Sequence, residues 1–358
     1  MRRVSITIKE IAKQLNVSKS TVSRALRDSS EISEETKQRV LNLARELNYS
    51  PNPIALSLLK NQTRTIGIIV PDIDNPFFSM AIGGVEDVAY SKGYHVMIYQ
   101  SHDSYDREKI DVRHIADRHA DGLIVSVASR SPNHEHFLEL QESGIPIVFF
   151  DRVSNEVKTH KVLVDDYEGA FQGTEHLVLQ GCKRIAHISG PLSLTISRNR
   201  FNGYRDALQK HNLPLREEWV LSAEYNQEEG AERAYQLMAL RERPDAIFAA
   251  SDRIGIGVHW ALRQLGYRMP EDVALMGFSN LAISSLIDPP LSSVAQPSFQ
   301  MGQQSAELLL NLIENKNTLD SFETRVLKTN LIVRGSSLKK TTPSDPASAE
   351  TPEGSYPS

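Results

Sequence analysis

Cysteine is almost missing from this chain: Cys182 is the single one in 358 residues. One thiol excludes an internal disulfide and a multi-cysteine zinc site, and it reads as a small buried hydrophobe. Long apolar runs are missing too, since no stretch approaches the roughly eighteen residues that span a bilayer. The opening, MRRVSITIKEIAKQL, places no apolar segment ahead of its first charged helical pattern. A secreted or membrane-inserted chain is therefore not expected, and a cytoplasmic one is.

Catalytic signatures are equally scarce. There is no G-x-G-x-x-G, no Walker loop and no H-E-x-x-H, and GIGV at 255–258 lacks a third glycine. His134 and His136 in PNHEHF sit at a polar helix start and read as solvated side chains, not metal ligands. His114 and His119 are spaced so that a helix points them different ways. No catalytic residue, metal or cofactor is expected, and the chain does not read as an enzyme.

What is present is an uneven charge. Residues 1–64 carry 12 Lys+Arg against 6 Asp+Glu, whereas the remainder carries 28 against 39. A small basic head on a large acidic body predicts that the head alone meets a polyanion.

The head reads as three short helices. Thr7 and Glu10 form a capping-box pair before the stripe Ile8, Ile11, Ala12 and Leu15. Ser18 caps the next helix, whose inward face is Val22, Ala25 and Leu26 and whose outward face is Lys19, Ser20, Ser23 and Arg24. A third helix starts at Ser33, with Val40, Leu41, Ala44 and Leu47 as its apolar side. This is the helix-turn-helix plan. Residues 51–64 follow as a hinge: Asn52 is a good N-cap and Pro53 suits the first helical position, but about two turns are too few to stand alone in water.

From Thr65 the pattern becomes apolar strands alternating with amphipathic helices, beginning TIGIIVPD, HVMIYQS, DGLIVSV and IPIVFFDR. KVLVDD, RIAHISGP, DAIFAASD and VALMGFSN continue it. The fold class is thus an all-α head plus an α/β core of two doubly wound parallel-sheet lobes. The expected lobes are 65–163 with 297–323, and 164–296 with 324–336. Residues 337–358, rich in proline and nearly free of apolar side chains, read as a disordered tail.

Ligands of open parallel sheets bind beyond the carboxyl ends of the strands. Those ends are polar here: Asp72 and Asp74, Ser101, Ser126, Asp151 with Arg152, Asp165 with Asp166, Ser251 with Asp252, Ser279 with Asn280. A cleft lined by carboxylates, amides and guanidinium forks satisfies a polyhydroxylated ligand, and Phe77 or Phe78 after Pro76 offers a face for a sugar ring.

Three motifs in order, ITIKEIAKQLNVSKSTVSRALRDS, ISEETKQRVLNLARELNYSPN and TRTIGIIVPDIDNPFF, make residues 6 to about 336 resemble the lactose/galactose repressor (LacI/GalR) family. The resemblance implies a homodimeric, effector-controlled DNA-binding regulator, a repressor, acting on double-stranded DNA with a pseudo-palindromic operator. It implies that Lys19, Ser20 and Arg24, on a helix starting at Ser18, face base edges, and that Thr21 and Ser23 touch phosphate or base. Thr7, Tyr49, Asn52 and Ala55 join the DNA-contacting set, and Leu58 matches the hinge leucine that wedges into the minor groove. Leu56 replaces an arginine frequent beside that wedge. For the small-molecule effector, a carbohydrate, the resemblance implies Asn75, Asp151, Arg152, Asp166, Arg200 and Asp252, to which the strand-end reading adds Phe77, Ser126 and Ser279. Asp166 stands where Asn is frequent, and Ser279 where many members place an aspartate. The tail lacks leucine heptads, which favours a dimer over a tetramer. The competing classes are an enzyme of sugar metabolism or a cytoplasmic sugar-binding protein on the same core.

Overall fold

The computed structural model describes residues 6–47, 49, 62–315 and 321–338. The expected hinge contacts Asn52, Ala55 and Leu58 lie outside the described residues. The chain divides into two compact units, with the division between Thr63 and Arg64.

In the first unit, α1 (Ile8–Leu15), α2 (Lys19–Ala25) and α3 (Glu34–Glu46) enclose a core of Ile11, Ala12, Val22, Ala25, Val40 and Ala44. The sequence sets each start. The Thr7 N–H donates to Glu10 Oε2 at 2.6 Å, Ser18 Oγ accepts the Thr21 N–H at 3.0 Å, and Ser33 Oγ accepts the Thr36 N–H at 3.4 Å. Asn16 takes φ 54°, a left-handed conformation that ends α1 and turns the chain into α2.

The second unit holds two six-stranded sheets. The first has β1 (Thr65–Val70), β2 (His95–Gln100), β3 (Gly122–Val125), β4 (Ile147–Phe150), β5 (His160–Val164) and β11 (Thr324–Leu327), in the order β11-β5-β4-β3-β1-β2, all parallel. The second has β6 (Ile185–Ser189), β7 (Val220–Ser222), β8 (Ala246–Ala249), β9 (Ala274–Ser279), β10 (Ser292–Ala295) and β12 (Asn330–Ile332), in the order β12-β10-β9-β8-β6-β7. Only β12 runs antiparallel to its neighbour.

Helices cover both faces of each sheet, as apolar strands buried on both sides require. The first lobe carries α4 (Pro76–Ser91), α5 (Tyr105–Asp117), α6 (Glu135–Glu142) and α11 (Ser298–Glu314); the second carries α7 (Asp166–Leu179), α8 (Thr195–Lys210), α9 (Gln227–Met238) and α10 (Asp252–Gln264). Helices α4 and α11 meet backbone to backbone. A Cβ on Gly84 would fall 2.0 Å from the Phe299 carbonyl oxygen, and one on Gly302 would fall 1.9 Å from that of Ala81. Only glycine fits either place.

Two expected boundaries are corrected. The sequence places residues 324–327 in the second lobe, but β11 pairs with β5 in the first sheet, so the last crossing falls at Lys328–Thr329. The expected tail begins at 337, yet Ser337 is fully buried and its hydroxyl donates to Ser292 Oγ at 2.6 Å. That bond ties the last described residues to the second sheet. Four strands lack the apolar run that marks the others: β7, β11 and β12 are short and partly exposed, and β10 reads SSVA.

Candidate DNA-binding surface and effector cleft

On the head, Ser18, Lys19, Ser20 and Arg24 are exposed along α2, with Thr21 and Ser23 half-buried beside them. Val22 and Ala25 anchor the opposite side in the core, so the register of the helix forces the hydroxyls and cations outward. The Ser18 hydroxyl sits 2.6 Å from Ser20 Oγ and 2.8 Å from Thr21 Oγ1, a cluster that orders the first turn. Arg24 Nη1 lies 2.9 Å from Glu31 Oε2 in an exposed pair, which a guanine edge or a phosphate can displace at little cost. Thr7 is exposed at the start of α1. Tyr49 instead packs partly against the head core, and burial raises its phenol above the ordinary value.

In the second unit, strand ends from both lobes converge on a narrow cleft whose cavity is about 30 Å³. Asn75, Phe77, Asp151, Arg152, Arg200 and Ser279 all line it, so six of the nine expected effector residues meet there. Asn75 also caps α4, its Oδ1 accepting the Phe77 N–H at 3.1 Å. That cap starts α4 at Pro76 and turns both Phe77 and Phe78 inward, in an edge-on pair with centroids 5.1 Å apart.

The floor is ionic. Arg200 donates from Nε to Asp166 Oδ1 at 2.8 Å, from Nη2 to the same oxygen at 2.7 Å, and from Nη1 to the Ala250 carbonyl at 2.6 Å. Its guanidinium lies 3.9 Å from the Phe278 ring centroid. Asp151, at φ 57° after β4, is buried, and desolvation pushes its carboxyl up to about 6 against the pull of Arg152 and Arg200. Asp166 pushes it further up, while the Ser126 hydroxyl steadies its ionised form.

Three expected residues are placed differently. Ser126 is wholly buried behind Asp151, its Oγ accepting the Arg152 N–H at 3.4 Å. Asp166 sits behind Arg200 and positions it. Asp252 is turned away from the cleft and its oxygens are consumed by Leu281 N–H at 2.8 Å, Ser284 Oγ and Ser293 Oγ at 2.6 Å. Its role is to tie α10 to β10 and the loop after β9, and burial raises its carboxyl. The cleft takes Ser251, the N-cap before it, instead.

Tyr225, Gln296, Phe78 and Ile196 also line the cleft. Tyr225 and Gln296 stand beyond the carboxyl ends of β7 and β10, two of the strands without an apolar run. Recognising those strands would have exposed both residues through the same strand-end rule. Ser279 Oγ donates to Gln296 Oε1 at 2.8 Å, and Gln296 Nε2 is buried without a partner. The lobes touch at the rim: Arg130 Nη2 lies 2.7 Å from Glu224 Oε1, Ser193 Oγ donates to the Ser129 carbonyl at 3.0 Å, and Arg253 pairs with Asp72.

The expectation of solvated histidines at 134 and 136 is corrected. His136 is buried, with Nε2 3.0 Å from Glu108 Oε1, and His134 Nδ1 lies 3.3 Å from Glu156 Oε2. Glu108 is itself fully buried and gathers Ala128 N–H at 2.7 Å and Ser131 Oγ at 3.1 Å, which draws the start of α6 inward. No cluster fit for a metal occurs among the described residues.

Residues 63–333 match the model for "Periplasmic binding proteins and sugar binding domain of LacI family", and residues 7–52 match that for "Bacterial regulatory proteins, lacI family". The chain belongs to the LacI family. Within that family it is 31% identical over 330 residues to the HTH-type transcriptional repressor PurR of Mannheimia succiniciproducens, covering 92% of this chain and 98% of that one. It is 32% identical over 335 residues to the HTH-type transcriptional repressor CytR of Escherichia coli strain K12, covering 94% and 97%. Among solved structures, the transcriptional regulator CelR–cellobiose complex aligns with a TM-score of 0.69 at 29% identity, covering 92% of this chain and 99% of that one. These LacI relatives are repressors and regulators, not enzymes.

Asp151 carries a pH prediction. Its folded value, about 6, lies above the ordinary 3.8, so the folded chain binds this proton more tightly than the unfolded one. The charge therefore weakens the fold fully above about pH 6, and the penalty fades as pH falls toward 3.8. Asp151→Asn should stabilise the protein relative to wild type in urea denaturation at pH 7.5, with the gap narrowed at pH 4.5 and gone only below 3.8. A gap independent of pH would contradict the buried carboxylate.

Proposed function

We propose that this LacI-family chain is a cytoplasmic homodimeric repressor that reads a pseudo-palindromic operator through α2 and releases or grips it according to a carbohydrate in the inter-lobe cleft. The observation that carries the reading is the pairing of two surfaces in separate units. One is an outward row of hydroxyls and cations on a capped recognition helix; the other is a cleft with an aromatic wall and an ionic floor. Lys19, Ser20 and Arg24 supply base contacts, an arginine on guanine discriminating by about 1–3 kcal/mol, and neighbouring hydroxyls and cations supply phosphate contacts. A two-fold dimer presents two heads to two half-sites. In the cleft, Asp151 accepts from ligand hydroxyls, while Arg152, Asn75 and Gln296 donate to ligand oxygens. Phe77 and Phe78 cover the apolar face of a sugar ring.

The test is an operator titration against salt with the purified full chain and fragments selected from random duplexes. Six to ten phosphate contacts predict a loss of roughly 10³–10⁵ in affinity between 50 and 200 mM salt. No selected palindrome, or a binding constant insensitive to salt, would remove the DNA-binding assignment.

A further inference from the structure

The cavity of the cleft, about 30 Å³, has the size of a water and not of a ring. Anything larger enters only when the lobes part, so the contacts that join them govern access. Among the described residues, three polar side-chain contacts cross between the lobes at the mouth. Arg253 of the second lobe pairs with Asp72 of the first, Arg130 Nη2 of the first lies 2.7 Å from Glu224 Oε1 of the second, and Ser193 Oγ donates to the Ser129 carbonyl at 3.0 Å. Each lobe thus offers one acid and one base. A misaligned closure would set acid against acid and base against base, so the two pairs also fix the register of the lobes.

The charged groups are held from their own side. Asp72 Oδ1 accepts the Asp74 N–H at 3.0 Å and Gln100 Nε2 at 3.3 Å, which leaves Oδ2 for Arg253. Arg253 stands in the first turn of α10, started by the Ser251 cap. The Glu224 N–H donates to Glu229 Oε2 at 3.0 Å, next to the Asn226 cap of α9.

Ser129 and Arg130 lie on the segment between β3 and α6, and Glu108 of α5 shapes it. Glu108 is fully buried. Its Oε2 accepts the Ala128 N–H at 2.7 Å, and its Oε1 accepts from Ser131 Oγ at 3.1 Å and lies 3.0 Å from His136 Nε2. A carboxylate out of water must keep such partners, which ties the segment to one shape. Asp103 Oδ1 adds to this by accepting the Ser129 N–H at 2.9 Å while it pairs with Arg152. The Arg152 guanidinium carbon lies 5.4 Å from the Tyr225 ring centroid in the other lobe, so Asp103 links the segment to the cleft wall.

We propose that Asp72–Arg253 and Arg130–Glu224 form an ionic latch that keeps the lobes closed over the cleft, and that Glu108 is the positioning residue for its Arg130 side. Asp72–Arg253 is the stronger half, because both side chains are half-buried whereas Arg130 is 76% exposed. Breaking the latch raises the fraction of molecules in which the cleft stands open. That the latch gates an effector rests on the reading of the cleft as the effector site; the latch itself is tested without a sugar.

Cys182 is the single cysteine and is buried, so Ile196→Cys places a second thiol in the cleft wall. The full chain with that change is treated with N-ethylmaleimide, an uncharged reagent too large for the closed cavity, and alkylation at 182 and 196 is followed by peptide mass spectrometry. Asp72→Asn and Arg253→Ala should each speed alkylation at 196 by about two- to fivefold, and the double variant no further than either one. Glu108→Gln, which turns an amide N–H toward the donors of the segment, should speed it too. Alkylation at Cys182, which requires the second lobe to unfold, should stay slow in every variant. A rate at 196 unchanged by Asp72→Asn and Arg253→Ala, or one that rises only in step with Cys182, would overturn the latch. An unchanged rate in Glu108→Gln alone would remove Glu108 from it. A latch that opens in a chain no sugar binds would leave this inference standing and overturn the effector reading instead.

Discussion

A chain beginning at Arg64 should lose operator affinity by more than about 10³ while keeping its effector affinity within twofold, since specific binding exceeds non-specific binding by about that factor or more. The contrast follows from where each surface is built. The exposed polar row on α2 is held by a core made of head residues alone, Ile11, Ala12, Val22, Ala25, Val40 and Ala44. The effector cleft is held by sheets whose apolar clusters begin at Ile66. Gel-shift titration and calorimetry on the same preparation check it. Retained operator binding would move the DNA surface off the head, and lost effector binding would make the cleft depend on it.

Asp166→Ala should cost the second lobe about 3–5 kcal/mol, the usual penalty for leaving one member of a buried ion pair uncompensated. Arg200 and Asp166 are both nearly solvent-free, and two of the three Arg200 nitrogens donate to one Asp166 oxygen. The remaining nitrogen is spent on the Ala250 carbonyl, so the freed charge has no second acid to turn to except Asp151 across the cleft. Asp166→Asn keeps an acceptor oxygen and should recover part of the loss. Urea denaturation monitored by Trp219, a buried tryptophan of the same lobe, reads the change directly. A loss below about 1 kcal/mol would mean that the pair is solvated in solution, because exposed pairs are worth no more than that.

The ordering of these effects explains which parts of the molecule were legible in its sequence. Caps at Thr7, Ser18 and Ser33 are local events, each a polar side chain meeting an N–H within three residues, and all three stand where expected. Strands buried on both faces announce themselves as apolar runs, so β1, β3, β4 and β8 are plain in the sequence. Strand β10 is not, because its serines are buried by pairing with Arg334 and Asp252, partners tens of residues away. Without an apolar run at β7 or β10, nothing in the sequence marks Tyr225 and Gln296 as strand-end residues.

Asp252 shows the opposite failure. A carboxylate at a strand end and one in a ligand cleft have the same sequence signature, and only the positions of Leu281, Ser284 and Ser293 tell them apart. His136 is a similar case. A histidine in a polar run reads as solvated until the buried Glu108, on another helix, is seen to require a donor. Local signals fix elements; acceptors far along the chain fix which polar groups are free to bind.

Effector-controlled repression requires that the head and the cleft share one equilibrium. The decisive measurement is the operator titration repeated with the tightest-binding sugar at saturation, at constant salt. A coupling of about 1–3 kcal/mol predicts a 5- to 150-fold change in operator affinity, matched by an equal change in sugar affinity when operator is present. Operator and sugar that each bind, with neither altering the other's affinity, would contradict it.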